Sequence, residues 1–205
     1  SKMDLAEFCD VFCEKKYFTY EESLKILSTA KKYNLIPRLH ADEFEDSRGL
    51  ELACKVNAIS ADHLMAANES YYKKISKKGI IAVILPGTTF FLGQKNYVNA
   101  NKLLKNNCEV ALASDFNPGS CTLNSLPQIM FLGMTYCNMS YDDVFKGVTI
   151  NAAKAINKEK SIGLIKDGYQ ADLLFWEVEN MYDIPYWFNS SNLSKILKKG
   201  KLITL

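Results

Sequence analysis

Histidine is the scarcest chemistry here: His40 and His63 are the only two in 205 residues, so any role for imidazole is confined to two places. Charge of one sign is lacking as well. Lys and Arg total 25 against 23 Asp and Glu, and no net field exists to gather nucleic acid or an acidic membrane face. Lysines do cluster, at Lys73, Lys74, Lys77 and Lys78 and at Lys195, Lys198, Lys199 and Lys201, but without interleaved aromatics, and they read as solvated faces. The longest apolar run, Ile80–Leu85, falls far short of the roughly 20 residues a spanning helix needs. Cys9, Cys13, Cys54, Cys108, Cys121 and Cys137 include no CxxC pair, which fits reduced thiols and a cytoplasmic location. Repeats and low-complexity segments are absent, and at 48% hydrophobic residues the chain can bury a sizeable core.

Strand and helix signals alternate, as in an α/β domain with a parallel sheet. Strands are expected at Phe8–Cys13, Leu35–His40, Ala58–Leu64, Ile80–Leu85 and Glu109–Ser114. Between them, Thr19 and Glu22 form a capping box for a helix through about Tyr33. Further helices are expected at Gly49–Asn57, Glu69–Lys78 with Gly79 as its stop, and Tyr97–Asn106. The Pro86-Gly87 pair should break the fourth strand. Beyond the fifth, a helix from about Leu123 to Asn138 should be interrupted near Pro127, and Ser140 with Asp143 caps another over Tyr141–Ile156. The alternation then stops: Gly163, Gly168, the run Ala171–Val178 and a final Lys198–Leu205 read as turns and strands of a small β unit. Five strands with four helical connections make a little more than half a barrel, and the missing strands are expected upstream of Ser1.

Three apolar runs end in a residue able to bind a metal or move a proton: His40, the pair Asp62 and His63, and Asp115. In a (β/α) barrel the chemistry sits at such carboxyl-terminal strand ends. In His40–Phe44 an imidazole stands beside Asp42 and Glu43, which is metal-ligand or acid/base equipment, or alternatively a hydrogen-bonded surface histidine. Asp115 needs a cation or donors at the end of so apolar a strand; a divalent metal and a turn-capping role both supply this. His63 can polarise a carbonyl or be held structurally by Asp62. The turn Asn117-Pro118-Gly119-Ser120 offers backbone N–H groups and the Ser120 hydroxyl as a nest for a substrate carboxylate. Phe90, Phe91 and Tyr97 either wall a pocket or pack into the core.

These residues lie in the segments CDVFCE (Cys9–Glu14), LHADEF (Leu39–Phe44), SADHL (Ser60–Leu64), ILPGTTFFL (Ile84–Leu92), SDFNPGS (Ser114–Ser120), TINAAKAI (Thr149–Ile156) and GLIKDGYQADLLFW (Gly163–Trp176). With them the chain resembles the metal-dependent amidohydrolases, and among these it is similar to the imidazolonepropionases over nearly its whole length. The resemblance implies the C-terminal half of a TIM-like (β/α)8 barrel, about strands four to eight, over residues 1–157, and part of a β-sandwich annex over residues 158–205. It implies one divalent ion, zinc or iron, held by His40 and Asp115. Glu43 would contact the substrate ring and shuttle a proton, His63 would stabilise the attacked centre, Asp115 would accept a proton from water, and Asn117, Gly119 and Ser120 would hold the propionate of 4-imidazolone-5-propanoate as it opens to N-formimino-L-glutamate.

Full-length members carry a His-x-His pair on the first barrel strand and additional arginine, tyrosine and histidine binding residues, none of which has a counterpart here. A catalytic zinc takes three protein ligands, so the isolated chain is expected to be inactive and to need the N-terminal half, with self-association as a homodimer as a further partner reading. Beyond a small-molecule substrate, neither nucleic acid nor membrane is expected as a partner. Two other readings stay open: another amidohydrolase, such as a deaminase or cyclic-amide hydrolase, and a non-catalytic half-barrel that needs a partner.

Overall fold

The computed structural model describes residues 5–187 and 192–203. Its first part alternates strand and helix: β1 (Phe8–Cys13), α1 (Tyr20–Lys32), β2 (Ile36–Ala41), α2 (Gly49–Val56), β3 (Ser60–His63), a 3₁₀ turn at Glu69–Tyr71 leading into α3 (Tyr72–Lys78), β4 (Ile81–Ile84), α4 (Pro86–Phe91), α5 (Ala100–Lys105) and β5 (Val110–Leu112). The five strands form one parallel sheet in the order β1-β2-β3-β4-β5. Among the described residues, β1 and β5 are its edges.

Local sequence explains the boundaries. Thr19 Oγ1 accepts from the Glu22 amide while Glu22 Oε2 accepts from the Thr19 amide, so the expected capping box opens α1. Gly79, at φ +67°, ends α3 in the left-handed conformation. Alternation along the strands then sorts the two faces. Val11, Cys13, Leu39, Ala41, Ala82, Ile84, Val110 and Leu112 pack with residues of the helices into the main core. On the opposite face the register sets Asp10 beside Arg38, Phe12 beside His40, His40 beside Asp62, and Asp62 beside Val83.

After β5 come α6 (Leu126–Tyr136), α7 (Tyr141–Val148), α8 (Ile150–Ala155), β6 (Leu173–Trp176), α9 (Asp183–Tyr186), β7 (Leu193–Lys198) and β8 (Lys201–Ile203). β6, β7 and β8 form an antiparallel sheet. Several expectations change here. Pro127 does not interrupt a helix but lies in the first turn of α6, where its missing N–H has no partner to lose. Likewise Pro86 ends a strand but also begins α4. The helix expected over Tyr141–Ile156 splits at Thr149, whose backbone (φ −121°, ψ −98°) is not helical. The break turns α8 onto β4 and β5, where Asn151 Nδ2 donates to the Val110 carbonyl at 2.9 Å and Ala155 packs against Ile81, Val83, Leu85 and Ala111.

The tail over Lys198–Leu205, expected as turns and strands, closes a hairpin: β7 ends at Lys198 and β8 returns from Lys201. Lys199 and Gly200 turn it at φ +51° and +74°, the paired positive values of a tight hairpin turn. Residues 204 and 205 of that expectation, and Ser1 to Met3 at the other end, lie outside the described residues. Phe90 and Phe91 neither wall the pocket nor join the core: they are 51% and 50% exposed at the end of α4. Tyr97 stacks on Tyr136 with ring centroids 4.7 Å apart. Among the described residues, no helix is long and apolar enough to cross a membrane.

Candidate metal centre

The carboxyl ends of β1, β2, β3 and β5 surround an open cavity of about 430 Å³ lined by Asp10, Val11, Phe12, His40, Glu43, His63, Asp115, Asn117 and Ser120. His40, His63 and Asp115 each present one donor atom, and the three atoms lie within 4.8 Å of one another. His40 and Asp115, 75 positions apart in the chain, therefore converge as the strand ends imply. His63, expected to act on the substrate or on metal-bound water rather than as a ligand, joins them as a third donor.

Backbone geometry at these ends is unusual. Asp42, His63 and Asp115 all have positive φ, at 53°, 78° and 54°, a conformation that costs a non-glycine residue on the order of 1–3 kcal/mol and that clusters at functional sites. The surrounding contacts hold it. Asp42, fully buried, accepts from the amides of Ser47, Gly49 and Leu50, and so caps the start of α2 in place of Arg48, which makes no side-chain cap. Burial pushes its carboxyl up to about 6 even though those three amides pull the other way. A side chain at Gly49 would come within 2.4 Å of Ala41 Cβ, so only glycine lets α2 start this close to β2.

Glu43 is positioned by a second buried acid. Glu14 Oε2 accepts from the amides of Glu43 and Phe44 at 2.7 and 3.0 Å, and its Oε1 accepts from the Ser47 hydroxyl at 2.7 Å. The Glu43 carboxyl itself faces the cavity, with Oε2 3.6 Å from His63 Nε2. Burial first, then the charges of Asp115 and Glu14, raise its pKa to about 7. Burial and the neighbouring His40 push His63 the opposite way. The pair is thus an acid that holds its proton near neutrality beside an imidazole kept neutral.

His40 is oriented from behind. Its Nδ1 lies 3.0 Å from Asp10 Oδ1, a contact that fixes the ring and leaves Nε2 as the free lone pair. Burial opposes a charge on His40, but the hydrogen bond and charge of Asp10 outweigh it, and the pKa is raised. Arg38 continues the chain of charges: Nη2 donates to Asp62 Oδ2 at 2.7 Å, and Nε stands 3.1 Å from Asp10 Oδ2. That second approach is off-axis, so it attracts by charge while Nε remains without a hydrogen bond. Neither Asp10 nor Arg38 had been singled out from sequence. The available signal was the alternation of FCDVFC and IPRLHA, which sets Asp10 and Phe12, and Arg38 and His40, on one face.

The nest expected from Asn117, Gly119 and Ser120 is already filled. Asn117 Oδ1 accepts from the amides of Gly119 and Ser120 at 2.9 and 2.8 Å, and Asn117 Nδ2 donates to the Asp115 carbonyl and to Ser120 Oγ. An asparagine side chain at a turn competes for the amides an anion would use. Asn117 and Ser120 line the cavity; Gly119 does not.

The donor set suits a divalent ion. Two imidazoles and a carboxylate are the nitrogen and oxygen ligands of zinc or iron, and His63 Nδ1 is buried with no hydrogen-bond partner, an expensive state for a polar atom that has no role.

Comparisons with known proteins agree in direction. A family model described as "Amidohydrolase family" matches residues 57–203. An imidazolonepropionase from Geobacillus sp. (strain WCH70) is 44% identical over 203 residues, which cover 99% of this chain and 48% of that protein. The chain spans about half the length of the curated relatives it matches. Among solved structures, a Xaa-Pro dipeptidase with bound methionine aligns at a TM-score of 0.77 and 18% identity, covering 98% of this chain and 55% of that one. An adenosine deaminase from Xanthomonas campestris with bound zinc aligns at 0.73 and 13%, covering 91% and 49%. At those identities the two structures share a fold with this chain and nothing further follows from them.

Proposed function

The chain belongs to the amidohydrolase family, and from that premise we propose that it is the C-terminal portion of an imidazolonepropionase, a hydrolase opening 4-imidazolone-5-propanoate to N-formimino-L-glutamate. One observation carries this reading: His40, His63 and Asp115 bring donor atoms from three separate strand ends within 4.8 Å, in a chain 44% identical to an enzyme of that name. In this proposal the parallel sheet is strands four to eight of a TIM-like (β/α)8 barrel over residues 1–157, and the antiparallel sheet is part of a β-sandwich annex over 158–205.

His40 and Asp115 would hold one zinc or iron ion, with His63 close enough to contribute. Such an ion supplies Lewis acidity and lowers the pKa of water toward about 7. The rest falls to side chains. Glu43, with its pKa near neutrality, holds a proton at Oε2 and passes it to the departing ring nitrogen. His63, kept neutral by its burial, orients the attacked ring carbon's oxygen by hydrogen bonding. Ser120 Oγ accepts from Asn117 Nδ2 at 2.9 Å and donates to Asn117 Oδ1 at the longer 3.2 Å, and in this proposal that weaker bond is exchanged for one to the substrate's propionate. Since the Gly119 and Ser120 amides are engaged, charge neutralisation of that propionate falls to groups from the N-terminal half, the partner this reading requires.

Assay of the full-length chain carrying this segment tests the proposal. Formation of N-formimino-L-glutamate is expected, with Glu43→Gln lowering kcat by about 10²–10⁴-fold, the usual contribution of a placed proton donor. No turnover of the imidazolone, with turnover of an aminopurine or a cyclic amide instead, overturns it. The 205 residues alone, given zinc or iron, are expected to show no turnover; activity there would refute the need for a second half.

A further inference from the structure

Thr88 lies outside every role assigned above, yet it is fully buried and its Oγ1 stands 2.6 Å from Asp115 Oδ2. A carboxylate only accepts, so the hydroxyl donates, and at that length the bond is charge-assisted. Among the described residues, no other hydrogen bond to this carboxylate is found. The Asp115 backbone is pinned separately, by the Asn117 Nδ2 bond to its carbonyl, which leaves rotation of the side chain as its remaining freedom. Thr88 removes that freedom by holding Oδ2 of a carboxylate that lines the cavity.

Gly87 eases the placement. A Cβ there would meet Ile129 Cδ1 at 2.8 Å, Cys121 Sγ at 3.0 Å and the Ser114 carbonyl at 3.2 Å. Glycine lets the chain after β4 lie this close to the end of β5 without displacing any of the three.

We propose that Thr88 is a positioning residue that fixes the Asp115 carboxylate for a divalent cation, an inference resting on the reading of Asp115 as a ligand. The test is zinc affinity of the full-length protein, measured by competition with a chromophoric chelator. Thr88→Val keeps the shape and loses the donor, and is expected to weaken zinc binding about 10–100-fold, the usual effect of removing a group that orients a ligand. Thr88→Ser loses the methyl and keeps the donor, and is expected to bind close to the parent. A role in packing alone predicts the reverse order. Should the valine variant fail to fold, Thr88→Ala replaces it with the same expectation. Parent-like affinity in the variant lacking the hydroxyl, or equal loss in Thr88→Ser, overturns the proposal. Asp115→Ala separates the two levels: if it leaves zinc affinity intact, Asp115 is no ligand and the metal reading itself fails, whereas loss there with no effect at Thr88 refutes only the positioning role.

Discussion

On one face of one sheet, β1 to β3 present Asp10, Arg38, His40, Ser60 and Asp62, while β4 and β5 present Ile81, Val83 and Ala111, joined by Leu85 just past β4. The polar side is a connected chain in which each charge answers another: Asp10 to His40 and Arg38, Arg38 to Asp62, and Ser60 Oγ to Asp62 Oδ1 at 2.9 Å. The apolar side needs no partners but a cover, which Ala155 of α8 provides. The candidate site lies where the two meet. There the polar network orients His40 from one side, and Asp115, at the end of an apolar strand, is reached by the Thr88 hydroxyl from the other. Charge-lined and carbon-lined halves of one surface thus fail in different ways, and their failures are separable by mutation.

The largest effect is expected from Arg38→Ala. Asp62 is only 4% exposed at its side chain, and burial pushes its carboxyl up against the pull of Arg38 and His40. Removing the guanidinium leaves a buried acid with the Ser60 hydroxyl as its remaining hydrogen bond and, among the described residues, only His40 as a nearby positive group, a change that costs about 3–5 kcal/mol when one partner of a buried pair is lost. Urea unfolding measures it; a loss under about 1 kcal/mol would mean that solvent, not Arg38, compensates Asp62. On the carbon-lined half, Ile81→Val removes one methylene from a nearly closed cluster and is expected to cost about 0.5–1.5 kcal/mol. If the order of these two variants reverses, the division of the face into a charge-compensated half and a packed half is wrong.

Much of this was legible in sequence because the signals were local. Short apolar runs located all five parallel strands, and both capping boxes, at Thr19 with Glu22 and at Ser140 with Asp143, formed as their spacing implies. His40 and Asp115 could be paired because parallel strands all end on one side of a sheet. Other features depended on contacts between distant segments. Thr88 reads as an ordinary helix residue until Gly87 brings it against the end of β5. The Asn117 turn read as an open cradle, because nothing in the tetrapeptide says that its own side chain takes the amides first. β7 carries Lys195 and Lys198 among only three apolar residues and keeps both faces partly exposed, so its alternation was too weak to distinguish a strand from a solvated stretch.

The smallest effect sets the scale for the buried network and comes from its exposed counterpart. Asp172 accepts from Lys198 Nζ at 2.7 Å, from the Lys199 amide at 2.8 Å and from Gln170 Nε2 at 2.7 Å. The Lys198 bond first, then the Lys199 amide, hold its carboxyl down at about 2. Because the folded value is depressed, its contribution is present above the ordinary aspartate range and is lost as pH falls toward 2. Asp172→Asn should therefore melt slightly below the parent at pH 6 and together with it near pH 2, and 1 M salt should shrink the gap at pH 6, since water and ions screen such a pair. Arg38→Ala should keep most of its deficit in the same salt, because Asp62 is out of reach of both. A salt response of equal proportion in the two variants would place Asp62 in contact with solvent and dissolve the contrast between the buried charges and the exposed ones.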